Sequence, residues 1–135
     1  MQFTHIASLL REALVISGCT DAQIGSFDGH STIELKLEDL PALNISVLDN
    51  GLWFWSALVE VGDMLLAHRS EALLHFLMQG CAFARTEQMQ LVKANGLLEV
   101  RVLLADSAFV DAKALANTLD IYLVALTALC DLIHR

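Results

Sequence analysis

The apolar positions of this chain change period several times, and each change marks an element. Phe3, Ile6, Leu10, Ala13 and Leu14 recur at helical spacing, with Ser8, Arg11 and Glu12 on the opposite side and Gly18 placed as a stop. Beyond a loop through Asp28 and Gly29 the period falls to two. Ile33, Leu35 and Leu37 alternate with Thr32, Glu34 and Lys36, which predicts a strand with one buried face. Pro41 breaks this run, and Leu43, Ile45 and Val47 then alternate with Asn44 and Ser46 as far as Asp49, Asn50 and Gly51. Asn-Gly tolerates the positive φ of a two-residue type I′ turn, so a hairpin into a third strand, Leu52 to Val59, is expected. Trp53, Trp55, Ala57 and Val59 fall on one side of that strand and Leu52, Phe54 and Leu58 on the other, so both faces call for cover.

A helical stretch follows from about Met64 to Gly80. Leu66, Leu73 and Leu77 form one stripe and Leu65, Ala72 and Phe76 the adjacent one, giving a wide apolar arc. A second hairpin joins Met89–Lys93 to Leu97–Leu104 through Asn95 and Gly96, with Leu98, Val100, Val102 and Leu104 inward and Glu99 and Arg101 outward. From Asp111 a last helix repeats Leu115, Leu119, Tyr122, Leu126, Leu129 and Ile133, and its polar residues form one narrow strip. The order αβββαββα predicts one α+β domain spanning residues 1–135, an antiparallel sheet packed with helices.

Composition alters this picture in one respect. Of 135 residues 56% are hydrophobic and only 18% charged, with a mean hydropathy of +0.55. That is more apolar side chain than one small core takes up, so the surplus is expected at an interface, with a homodimer preferred over a free monomer. Lys and Arg number 8 against 16 Asp and Glu, a net charge of −8. No basic footprint exists for nucleic acid or an anionic membrane surface. Charged residues interrupt the apolar stretches, the longest being Gly51–Val59 and Ile121–Cys130, so no membrane-spanning helix and no membrane insertion are expected. His5, Arg11 and Glu12 also argue against a secretory signal at the amino terminus, which points to the cytoplasm. Cys19, Cys81 and Cys130 are odd in number without a CxxC pair and read as reduced, buried thiols.

Catalytic and cofactor chemistry is sparse. No glycine opens a phosphate-binding loop, and no calcium loop is present. His68, Glu71 and His75 share a helical face but lack a strong fourth ligand, so a polar stripe outweighs a metal site. Asp28, His30 and Ser31 are the residue types of a hydrolytic triad, yet sequence neighbours rarely face one another as nucleophile, base and orienter, and a turn is favoured. Trp53, Phe54 and Trp55 could cage a ligand, but at strand spacing they read more readily as core or interface. No cofactor and no enzymatic activity are expected. From the residues alone the chain is a compact domain that binds something through apolar surface. A small ligand-binding or enzymatic α+β domain using the aromatic strand and His30, or a structural dimer module, stands as the alternative.

The segments IASLLREALVISGC, FDGHSTIEL, LPALNISVLDNGLWFW, GCAFAR and LLEVRVLL with the terminal helix resemble the class I type III secretion chaperones, in particular the multi-effector branch typified by invasion protein B. The most specific pieces are the cluster Asp28, His30, Ser31 and Ile33 and the pair Leu40–Pro41 leading to Ile45 and Trp55. The resemblance implies a small acidic homodimer of the bacterial cytoplasm, without ATPase activity, whose partners are the amino-terminal segments of several secreted effectors and the export apparatus. It implies dimer contacts at Leu66, Leu73, Phe76 and Leu77, and effector contacts at Phe3, Ile6, Leu10, Phe27 and Trp55.

Overall fold

A computed structural model describes residues 3–18 and 32–134, including the backbone but not the side chains of residues 3 and 4. The elements follow the expected order. They are α1 (Phe3–Ile16), β1 (Ile33–Leu37), β2 (Leu40–Leu48), β3 (Gly51–Glu60), α2 (Asp63–Met78), β4 (Gln90–Ala94), β5 (Leu97–Leu103), a 3-10 turn (Asp106–Phe109) and α3 (Ala112–Ile133). The five strands form one antiparallel sheet in the order β1-β2-β3-β5-β4.

Helix boundaries follow from local chemistry. After α1 the chain turns away at Gly18, whose φ of 93° suits only glycine. Gly80, at φ 80°, plays the same part behind α2. At the start of α3 the Ala114 N–H donates to Oδ1 of Asp111 at 2.8 Å, satisfying one of the donors that every helix start leaves orphaned. Thr118 then donates to the carbonyl of Ala108 at 2.8 Å, tying the 3-10 turn to α3.

The core lies between one face of the sheet and the layer made by α1 and α3. Leu43, Ile45, Leu52, Phe54, Val100 and Val102 from the sheet meet Ile6, Leu10 and Ala13 of α1 and Leu115, Leu119, Tyr122 and Leu126 of α3. Within it the Ser56 and Tyr122 hydroxyls share a hydrogen bond of 2.7 Å, and the Tyr122 ring meets Phe54 edge-on at 5.4 Å between centroids. That bond lets a serine lie in the centre of an apolar face without a stranded polar group.

Three expectations need correction. The turn between β2 and β3 is centred on Asp49 and Asn50, both at positive φ, and not on Asn50 and Gly51. Gly51 already pairs with Leu48 as a strand residue. A Cβ there would lie 2.7 Å from Cδ1 of Leu103, so a larger residue would make that leucine side chain shift. The turn at Asn95 and Gly96 has the expected pair of positive φ values. Pro41 lies inside β2 and does not interrupt it: Leu37 pairs with Leu40 and Leu35 with Leu43, so the register shifts here, and a bulge accommodates a residue that cannot donate to the ladder. Finally, α3 is long and apolar enough to cross a membrane by length and composition, contrary to the reading of interrupted stretches. Its face of Leu115, Leu119, Tyr122, Leu126, Leu129 and Ile133 is buried against the sheet and α1, which makes it a core helix.

Candidate functional site

Two surfaces of the described residues retain apolar groups that the fold does not cover. The first lies between α2 and α3. Of α2 only Leu73 is fully buried, while Met64, Leu66, Leu74 and Met78 are exposed. On α3, Ile121 and Val124 are exposed, the latter at 71%. Between the helices runs a groove of about 320 Å³ lined by Phe76, Leu77, Phe83, Met89, Ile121 and Val124, with Cys81 at its edge. Burial pushes the Cys81 thiol above its ordinary value, against a smaller opposing effect of hydrogen bonds with the backbone of Phe83 and Ala84.

The second surface is the sheet face turned away from α1 and α3. Strand alternation sends Trp53 and Trp55 to it from β3 and Glu99 and Arg101 from β5, and the register sets Trp55 directly opposite Arg101. The Trp55 indole N–H donates to Oγ of Ser46 at 3.0 Å, and that hydroxyl also pairs with Thr32 at 2.8 Å. The Trp55 ring is thereby fixed across β2. Glu99, only 8% exposed, accepts from the Arg101 guanidinium at 3.3 Å and 3.4 Å. These side chains line a trough of about 420 Å³ that extends from Asp49 at the β2–β3 turn to Asn95 at the β4–β5 turn.

Of the residues expected to contact effectors, Ile6, Leu10 and Trp55 are described, and Trp55 lies apart from the other two. Ile6 and Leu10 are buried at 1% and 0% in the core, where their helical spacing sets them against α3 and the sheet, so neither offers a surface. Trp55 is half-buried on the trough. For Phe3 only the helical backbone is described, and Phe27 lies outside the described residues, as do Cys19, Asp28, His30 and Ser31. Among the residues expected at a dimer contact, Leu66 is exposed and Phe76 and Leu77 line the α2–α3 groove, whereas Leu73 is a core residue. Sequence reasoning missed Ile121 and Val124, whose place on α3 opposite the buried stripe was the available signal. It also missed the trough, because Glu99 and Arg101 read simply as solvated outward residues. His75 and Glu71 stand 3.9 Å apart on the exposed side of α2, and no cluster of three metal-binding side chains occurs among the described residues.

Residues 18–95 match the model of the invasion protein B family. The chain is 38% identical over 120 residues to the surface presentation of antigens protein SpaK of Salmonella typhimurium, covering 89% of each, and equally to that of Salmonella typhi. Its fold matches a chain of the heterodimeric ExoU–SpcU complex from the type III secretion system of Pseudomonas aeruginosa, with a TM-score of 0.59 and 21% identity over 94% of this chain and 96% of that one. An α+β core of this order, matched over most of its length by sequence, assigns the chain to the invasion protein B family, within the class I type III secretion chaperones.

Proposed function

We propose that this chain is an ATP-independent chaperone of the bacterial cytoplasm that holds the non-globular amino-terminal segments of type III secreted effectors, keeps them soluble and presents them to the export apparatus. The observation that carries this reading is apolar surface left uncovered on two sides of a well-packed core, in a chain whose family serves secretion. An extended segment suits such a surface. Its main chain can pair with the sheet edges at β1 or β4 while its alternate side chains fill pockets, which lets one protein accept unrelated cargoes. The fold relative belongs to a heterodimeric complex, which supports a protein partner. No catalytic constellation is required by this activity.

The active form is a homodimer joined through the α2–α3 groove, with Leu66, Phe76 and Leu77 in the contact and Ile121 and Val124 added to it. Obligate interfaces commonly bury about 2,000 Å² or more, enough to cover these groups. Light scattering at micromolar concentration should give about twice 14.8 kDa; a well-behaved monomer there would refute the dimer. For the chaperone activity, co-expression with the first segments of secreted proteins from the same organism should yield soluble complexes. If those segments stay insoluble and unbound, the reading is wrong.

A further inference from the structure

The trough on the open sheet face has a composition that the apolar capture of cargo does not explain. The chain has only two tryptophans, and both line it, together with Asp49, Glu99 and Arg101. Glu99 and Arg101 neutralise each other. Asp49 takes part in none of the ion pairs among the described residues. Trp53 leans back over the turn that carries Asp49, since its Nε1 lies 3.7 Å from where a Cβ on Gly51 would stand. Two indoles in one trough with a carboxylate that joins none of those ion pairs, in a protein of net charge −8, are an arrangement that favours a cation and disfavours an anion.

We infer that this trough takes a lysine or arginine side chain of an extended peptide segment, with the aliphatic stem along Trp53 and Trp55 and the charged head at Asp49. This rests on the chaperone reading and adds to it a preference of chemical class: segments in which apolar residues alternate with basic ones. An acidic side chain in the same position would meet Asp49 and would find Arg101 already engaged by the Glu99 carboxylate.

The location of the tryptophans supplies the assay, because their emission reports on the trough and on nothing else in the chain. The probes are three synthetic peptides of alternating isoleucine with lysine, glutamine or glutamate. The lysine peptide is expected to shift the emission and to bind about tenfold more tightly than the glutamate peptide, with the glutamine peptide between them. Asp49→Asn should abolish that ranking without harming the turn, since asparagine suits positive φ as well as aspartate does. Trp53→Leu should weaken the lysine peptide several-fold while Trp55 still reports. Equal affinity for the three peptides, an unchanged ranking in Asp49→Asn, or binding by calorimetry without any change in emission would overturn the inference. Co-purification separates the two levels. A secreted segment captured by the parent and equally well by Asp49→Asn and Trp53→Leu leaves the chaperone reading standing and removes this one, whereas failure of the parent to capture any such segment removes the reading on which it rests.

Discussion

The two faces of the sheet are made by alternate residues of the same strands, and they have opposite fates. On β3, Leu52, Phe54 and Ser56 disappear beneath α1 and α3, whereas Trp53 and Trp55, one residue away in each case, stay half-buried on the other side. Size and apolar area do not separate them, for the tryptophan rings are the largest side chains on the strand. What separates them is cover. The inner face meets two amphipathic helices and buries the Ser56 hydroxyl in a hydrogen bond, while the outer face retains a salt bridge, a hydroxyl chain and an open trough. Among the described residues no helix covers the outer face.

The sharpest way to break this comparison is to truncate adjacent residues of β3. Phe54→Ala should cost about 3–5 kcal/mol in urea denaturation, because a fully buried ring leaves a cavity. Trp53→Ala should cost only about 1 kcal/mol, as a half-exposed ring gives up less buried area. Equal losses would mean that the outer face is covered after all.

The next effect concerns the polar bridge on the inner face. Tyr122→Phe leaves the Ser56 hydroxyl without its partner and should cost about 1–3 kcal/mol. It should also change the alkaline limb of stability. Burial raises the Tyr122 phenol well above its ordinary value, with the Ser56 hydrogen bond opposing that in part. Folding therefore favours the protonated form, and the associated stability is complete below about pH 10 and is lost as pH rises beyond it. The variant should lose less stability above pH 10 than the parent does. Because Tyr122 is the chain's one tyrosine, tyrosinate absorbance follows it directly.

Arg101→Met tests the outer face. It strands the nearly buried Glu99 carboxylate and should destabilise by about 1–3 kcal/mol, less than Phe54→Ala, since the guanidinium it removes is partly in water. The smallest effect is a rate. Cys81 and Cys130 are half-buried, and burial raises both thiols, with Asp131 adding to it at Cys130. Both should alkylate slowly in the native protein and quickly in denaturant, as mass spectrometry of labelled peptides would show. Rapid native labelling of both would indicate that α2 and α3 open readily.

Much of the fold was legible because its periods are clean. The alternation of β5 assigned Leu98, Val100, Val102 and Leu104 to the core, and the last helix declared its buried stripe from Leu115 to Ile133. What failed depended on relations between distant residues. Gly51 looked like a turn glycine, but it pairs with Leu48 as a strand residue and its nearest cross-strand neighbour is the Leu103 side chain. Ile6 and Leu10 have the spacing of a helix face, but the sequence does not say whether α3 or a partner lies against that face. Pro41 breaks a pattern without breaking a strand, because a bulge in β1–β2 pairing absorbs it. The trough was hidden for the same reason: Trp55, Ser46 and Arg101 belong to three strands and become neighbours only through register.

The strand order also governs where the chain can change in length. β1, β2 and β3 pair with their sequence neighbours through tight turns, and so do β4 and β5. The seam between β3 and β5 is the one junction whose partners are remote, from Glu60 paired with Leu97 to Trp53 paired with Leu103. Between those strands the chain leaves the sheet for α2 and returns to it as β4. The entropy of closing such an excursion grows only with the logarithm of its length. Between Gln79 and Met89, however, Phe83 and Ala84 are buried, Ala84 bridges to Leu104 and the Arg85 N–H donates to the Leu103 carbonyl. An insertion there should cost stability through lost packing, whereas a single residue inserted at Asp49–Asn50 would shift the register of the strand that carries both tryptophans and exchange its two faces.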